Sequence, residues 1–195
     1  MKPGTRALGV AESFGDGPRS TLGSAVVRVD RTVEAFEFGT CTVGGTDATA
    51  AVCDLWTRLD RPDVQWLLLA GIAPAWYNVL DLRALHDHTE RPVLSVTFEE
   101  RAEPLGAALE REFSGPDLDE RRETFERQPP RTRLRVDGGT RTETLFVRAV
   151  GCSADDAHAA VRAFTPAGGR PEPLRVAREA ARAVDRFRVR AAKRR

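Results

Sequence analysis

Hydrophobic and polar positions along the chain fall into alternating and helical periods, and one stretch stands apart from both. From Val64 to Asp81 the sequence reads VQWLLLAGIAPAWYNVLD. Trp66, Leu67, Leu68 and Leu69 form an apolar run with no polar face, the pattern of a strand covered on both sides in a parallel or mixed sheet. The run ends at Ala70-Gly71. The uncharged segment Ile72 to Asn78 then predicts a partly buried loop at the carboxyl end of that strand, where open α/β sheets bind ligands. A core strand with a merely apolar cap has the same local pattern.

Ahead of this run the period is two. Arg6 to Ala11 predicts a short first strand, followed by a polar loop that Gly15, Gly17 and Pro18 close. Leu22 to Val29 and Val33 to Val43 predict two more strands, joined tightly at Asp30-Arg31, with Phe36 and Phe38 sharing a face opposite Glu37. From Thr46 the period becomes helical. Ala48, Val52, Leu55, Trp56 and Leu59 share one stripe, Thr46 is placed to cap it, and Asp47 suits the positive end of the helix dipole. Beyond the central run the chain predicts a helix from about Asn78 to His88 and a strand from Pro92 to Phe98. Short charged helices follow over Ala102 to Phe113 and Leu118 to Phe125, split by Ser114-Gly115-Pro116. Strands at Leu134 to Val136 and Leu145 to Val150 come next, around the Asp137-Gly138-Gly139-Thr140 turn. Ser153 and Asp156 imitate a capping box for a helix with Ala157, Ala160, Val161 and Phe164 inward. The last helix starts near Pro173 and turns Leu174, Ala177, Ala181, Val184 and Phe187 to one side.

The length, 195 residues, suits one domain with one sizeable core. The formal net charge is only +1, but the C-terminal segment 182–195 is a basic tail. Arg182, Arg186, Arg188, Arg190, Lys193, Arg194 and Arg195 are opposed there by Asp185 alone, an excess suited to a phosphate backbone. Lys2 and Lys193 are the only lysines; Arg presents a planar fork to phosphate or carboxylate, although genomic base composition gives the same bias. Cys41, Cys53 and Cys152 show no CxxC spacing, which argues against a disulfide framework or a zinc site and for a reducing compartment. The N-terminus lacks the apolar core of a signal peptide, and no apolar stretch approaches membrane-spanning length, so a cytoplasmic location with no membrane partner is expected. His86 and His88, at i and i+2, do not share a helix face, and His158 has no evident metal partner. No Ser-His-Asp arrangement, phosphate loop or dinucleotide fingerprint is present.

Three antiparallel strands followed by alternating helices and parallel strands is the order of a ribonuclease H-like domain. Four motifs narrow it: TVGGTDAT (Thr42 to Thr49), LLLAGIAPAWYNVLDL (Leu67 to Leu82), RPVLSVTFEE (Arg91 to Glu100) and RPEPLRVAREAA (Arg170 to Ala181). In this order, over nearly the whole chain, they resemble the endonuclease dU family, an archaeal group similar to endonuclease V. The resemblance implies an α/β fold with a ribonuclease H-like mixed sheet flanked by helices. It also implies a hydrolase of DNA repair, a nuclease that cleaves deoxyuridine-containing DNA with Mg²⁺ or Mn²⁺. Such ions take hard oxygen ligands and activate a bound water, which requires carboxylates.

In folds of this kind one carboxylate comes from the end of the first strand and another from the end of the central parallel strand. The family pattern has acids at three places where this chain reads Ala11, Gly44 and Ala70. Glu12 and Asp47 are the remaining candidates for catalysis and for the metal. Glu12 substitutes for an acid at position 11 only if the strand has already ended, because a one-residue shift reverses the side-chain face. Asp81, Glu99 and Glu100 are further acids placed to approach the pocket. Gly71, Pro74, Trp76, Tyr77 and Asn78 form the candidate pocket, with Asn78 offering an amide to a base edge or phosphate and Trp76 or Tyr77 a ring for stacking. Arg188 and Arg190 are expected to contact the nucleic-acid backbone. Two other readings remain open: a non-catalytic homologue that binds nucleic acid or a protein partner, and a small-molecule-binding α/β protein using the pocket after Gly71.

Overall fold

The computed structural model describes residues 1–15, 17–98, 104–137, 142–166 and 168–192. Among them, seven strands form one mixed sheet in the order β3-β2-β1-β4-β5-β7-β6. The first three, β1 (Arg6–Ser13), β2 (Arg19–Arg28) and β3 (Val33–Thr42), are antiparallel. Their hairpin link places Arg31 at φ 71°, with the Thr32 N–H donated to the Asp30 side chain at 3.1 Å. β4 (Trp66–Ala70) runs parallel to β1, and β5 (Val93–Thr97) parallel to β4. β6 (Thr132–Asp137) and β7 (Thr142–Val150) close the far side as an antiparallel pair, both longer than predicted. The predicted turn between them falls outside the described residues.

β4 occupies the middle of the sheet, which explains its unbroken apolar run. Leu67 and Leu69 point to one face, where they meet Leu8, Val10, Leu22, Val26 and Val93. Helices α1 (Ala48–Leu59), α3 (Leu82–Thr89) and α4 (Leu105–Glu112) cover that face, with Val52, Leu55, Leu82, Leu85 and Leu109 fully buried. Leu68 points to the other face, towards Leu94, Val96, Leu134 and Leu145 and the inward residues of α6 (Ala154–Ala163). Each leucine so buried contributes about 1.5–3 kcal/mol relative to exposure.

The long α7 (Glu172–Ala192) lies on this second face over β1 and β2. It sits unusually close because Gly9 and Gly23 carry no side chain. A Cβ at Gly9 would stand 2.3 Å from the Pro173 backbone, and one at Gly23 would stand 2.8 Å from the Ala177 carbonyl oxygen and the Ala181 Cβ. The predicted basic tail is therefore the end of a helix through Ala192, and Lys193, Arg194 and Arg195 lie outside the described residues. Phe187, predicted inward, is 71% exposed. At that end of α7 the positions that face the sheet are Asp185, which accepts from Thr21 and Ser13 at 3.1 and 3.5 Å, and Arg188, which donates to Thr21.

The other departures from the sequence pattern cluster after β4. The pattern predicts a helix from about Asn78, but α3 starts at Leu82, with the Asp81 carboxylate accepting from the Arg83 and Ala84 N–H groups. Asp81 is thus a helix cap, and Arg127 pairs with its second oxygen. Residues Pro74–Tyr77 (α2) form a single turn in which Ala75, Trp76 and Tyr77 all have left-handed φ of 48°, 55° and 63°. Each such non-glycine residue costs about 1–2 kcal/mol, so surrounding groups must hold the turn in place.

Candidate functional site

The carboxyl ends of β1 and β4 lie side by side. Val10 is the register partner of Leu69, so Ala11 and Ala70 are the next pair along the parallel ladder. Both methyl groups face the α7 side and pack with Ala177, and Ala11 is only 4% exposed. Two neighbouring side chains on adjacent strands, aimed at the same edge, are the positions from which the resemblance expects metal carboxylates. Here they supply two methyl groups.

Glu12 does not share the face of Ala11. β1 remains paired to β2 through Glu12 and Ser13, so the alternation of the strand turns Glu12 to the opposite face from Ala11. There its carboxylate accepts from the Ala75 N–H and, at 3.2 Å, from the Ser20 hydroxyl. Burial raises the Glu12 pKa above its ordinary value, against the opposing pull of the Ala75 N–H, Ser20 and the Arg178 charge. Glu12 is thus a clamp on the left-handed turn.

Asp47 has its own set of donors. Its carboxylate accepts from the Thr42 N–H at 2.9 Å, the Thr42 hydroxyl at 2.8 Å and the Asn78 amide at 2.7 Å. Burial alone would raise its pKa, but these hydrogen bonds together outweigh that and hold it lowered. Asp47 occupies the N-cap position of α1 without a side-chain cap bond, and Thr46, predicted as the cap, does not fill that role. Asn78 is completely buried: it accepts from the Ala48 N–H at 2.9 Å and donates to the Thr42 carbonyl at 2.9 Å as well as to Asp47. The amide predicted to read a base or phosphate instead ties the segment after β4 to the start of α1. Burial, together with the Glu12 and Asp47 charges, pushes the Cys41 thiol up to about 12.

The ion implied by the resemblance does not fit these residues. Ala11 and Ala70 offer no oxygen donors, and Glu12 and Asp47 are engaged by separate structural partners. Gly44 has φ 68°, and a Cβ there would lie 3.0 Å from the Trp76 ring. Among the described residues no group of three or more His, Cys, Asp or Glu is placed to hold a metal. Glu99 and Glu100 fall outside those residues. The histidines are occupied elsewhere, His86 with the Arg91 carbonyl at 2.8 Å, His88 with the Thr57 hydroxyl at 3.1 Å and His158 with the Thr132 hydroxyl at 2.9 Å.

Of the predicted substrate contacts, Trp76 is 55% exposed and Tyr77 half-buried, and both rings pack against Phe113. Arg121 of α5 (Pro116–Glu126) completes that cluster, a residue the sequence placed on an exposed charged helix. It is 4% exposed, lies 4.1 Å over the Phe113 ring, and donates to the Gly44 and Gly45 carbonyls. No periodic signal marks it, because its partners are backbone oxygens far away in sequence. Gly71, at φ 95°, lines a cleft on the other side of the β4 end. Arg188 and Arg190 project from the exposed end of α7; Arg188 donates to the Thr21 hydroxyl at 2.6 Å, which brings its guanidinium back over the β1–β2 end. No helix among the described residues is long and apolar enough to cross a membrane.

The fold agrees with what the chain resembles. It is 35% identical to a UPF0215 protein of Pyrobaculum calidifontis over 182 residues, spanning 92% of this chain and 97% of that one. Against a UPF0215 protein of Thermococcus gammatolerans the identity is 33%, with 94% of each chain covered. A crystal structure of a protein of unknown function from Archaeoglobus fulgidus superposes with a TM-score of 0.78 at 23% identity, covering 92% of this chain and 98% of that one. Endonuclease V of Ciona intestinalis, solved with a DNA 24mer containing an inosine, superposes with a TM-score of 0.59 at 13% identity, covering 94% and 86%. The fold is therefore the mixed α/β, ribonuclease H-like fold of endonuclease V. Residues 3–185 match the family described as Endonuclease dU, and the chain belongs to that family.

Proposed function

We propose that this chain binds deoxyuridine-containing DNA along the edge formed by the ends of β1 and β4 and by α7, and that its metal-dependent cleavage is lost or sharply reduced. The carrying observation is the adjacent pair Ala11 and Ala70, both on the α7 face, with Glu12 turned to the other side of the sheet. Mg²⁺ keeps several of its waters and is held by one or two protein carboxylates together with substrate phosphates, and two methyl groups supply no carboxylate. Binding has separate support. The end of α7 carries the exposed Arg186, Arg188 and Arg190, of which Arg188 reaches Thr21 over the β1–β2 end, and the similarly folded Ciona intestinalis endonuclease V was solved on DNA.

The test is a side-by-side assay of the wild type and the Ala11→Asp/Ala70→Asp double variant on uracil-containing and control oligonucleotides, with Mg²⁺ and with Mn²⁺. The expected result is binding without appreciable cutting by the wild type and a gain of metal-dependent cutting in the double variant. Robust metal-dependent cleavage by the wild type overturns the reading, and so does failure of the wild type to bind DNA.

A further inference from the structure

Two phenyl rings stand in solvent near the end of α7: Phe14 is 56% exposed and Phe187 71%. Single exposed apolar residues are ordinary on protein surfaces, but these two belong to segments pinned against each other. Ser13 and Thr21 donate to the Asp185 carboxylate at 3.5 and 3.1 Å, and a Cβ on Gly15 would stand 3.2 Å from the same carboxylate. Phe14, between Ser13 and Gly15, therefore lies at the turn of α7 that carries Asp185. Arg188 then donates to the Thr21 hydroxyl at 2.6 Å. Phe187 precedes it by one residue, about 100° round the helix, so its ring stands clear of the sheet.

Rings and cations interleave here. From Arg186 to Arg190 the helix reads Arg-Phe-Arg-Val-Arg, with all five residues exposed. Guanidiniums meet backbone phosphates whatever the bases are, whereas an exposed phenyl ring finds its partner in the face of a base. Inside a duplex those faces are covered by the neighbouring base pairs. Rings that stand clear of the protein surface meet them where a strand is unpaired, and aromatic side chains set among basic ones are the composition of single-strand grooves.

We propose that Phe14 and Phe187 are positioning residues that stack on unpaired bases of a DNA strand whose phosphates lie along Arg186, Arg188 and Arg190. The inference rests on the reading that this end of α7 binds DNA, and it adds which part of the DNA is held: bases out of the helix. Removing one stacking ring should weaken binding about fivefold or more. The contribution is uncharged, so it separates experimentally from that of the arginines.

The experiment is equilibrium binding of the full chain, by fluorescence anisotropy, to a labelled single strand containing deoxyuridine, to the same strand in a duplex, and to a strand of equal length built of abasic sites. The abasic strand keeps the phosphates and removes the base faces. The wild type is expected to bind the single strand more tightly than either of the others. Phe14→Ala and Phe187→Ala should each weaken single-strand binding about fivefold or more, with an unchanged slope of log affinity against log salt because no phosphate contact is lost. Their Tm should match that of the wild type, since both rings are exposed. Phe14→Trp and Phe187→Trp should retain wild-type affinity, because an indole also stacks. Phe36→Ala removes an exposed ring on β3 level with Ala25 rather than Thr21, and should leave binding unaltered. If the wild type binds all three ligands alike, or if both alanine variants keep full affinity, the stacking role is overturned while DNA binding stands; a wild type that binds none of the three overturns both.

Discussion

At the scale of single residues, polar groups around the end of β4 serve the fold before they serve a ligand. Asn78 is the clearest case, with both ends of its amide bonded inside the protein. Asn78→Ala should strand the Ala48 N–H and leave Asp47 and the Thr42 carbonyl each one donor short, at about 1–3 kcal/mol per unsatisfied group. Chemical denaturation should therefore show a loss of at least about 2 kcal/mol, and a loss well under 1 kcal/mol would mean that water replaces the amide. Sequence alone suggests a ligand-binding amide there because its partners, Thr42, Asp47 and Ala48, are some thirty positions away and no local pattern reports a fold-back contact. Glu12 and Asp47 lend themselves to opposite pH tests. Glu12 has a raised folded-state pKa, so the stability it contributes is present below its ordinary 4.5 and is lost as pH rises through the raised value. Asp47 is lowered, so its contribution is present above its ordinary 3.8 and is lost as pH falls through the lowered value. Relative to wild type, Glu12→Gln should gain in Tm as pH rises from acid to neutral, whereas Asp47→Asn should fall behind over the same range. Parallel pH profiles for the wild type and both variants would contradict these assignments.

At the scale of elements, α7 does two jobs along its length. Its first half is pressed onto β1 and β2 at Gly9 and Gly23, and Gly23→Val should force helix and sheet apart. Overpacking of this kind costs about 1–3 kcal/mol, and an unchanged Tm would show that the helix shifts freely. Its second half leaves the apolar sheet and becomes a basic surface. If Arg186, Arg188 and Arg190 meet phosphates, replacing all three by Gln should flatten the plot of log affinity against log salt by about 0.9 for each duplex-DNA phosphate no longer neutralised. An unaltered slope would make them merely solvated. Periodicity located α7, β4 and the order of strands and helices because each buries a regular face. It missed the left-handed turn at Ala75–Tyr77, which no preference of alanine, tryptophan or tyrosine encodes. That turn is imposed by Glu12 on the Ala75 N–H, by the Gly44 N–H on the Ala75 carbonyl at 2.7 Å, and by closure of Asn78 onto Pro74. The resulting geometry keeps Trp76 over Gly44, where a side chain would collide with it.

At the scale of the whole molecule, an endonuclease V-like fold has been kept while the paired acids expected at its strand ends are absent, and the two facts bear on each other through α7. Ala11 is buried against Ala177, so the edge where an ion would sit is partly filled by apolar packing. That Ala11 and Ala70 stand where the resemblance expects carboxylates is an expectation of the sequence motifs; the structure adds that the two lie side by side at the ends of β1 and β4. The face of Glu12 was not legible, because it depended on whether β1 ended at Ala11 or continued to Ser13. Ala11→Asp/Ala70→Asp should therefore do more than alter activity. Without metal, two adjacent carboxylates, one of them buried, repel each other and lose hydration, so the double variant should unfold at a lower temperature than wild type. An ion that binds the folded state alone restores stability by mass action, about 2.7 kcal/mol at a hundred times its Kd. Added Mg²⁺ or Mn²⁺ should accordingly raise the Tm of the double variant and leave that of the wild type nearly unchanged. If both proteins respond alike, the ion binds elsewhere; if the double variant folds but no metal stabilises it, the β1–β4 edge has lost the shape of a metal site along with its ligands.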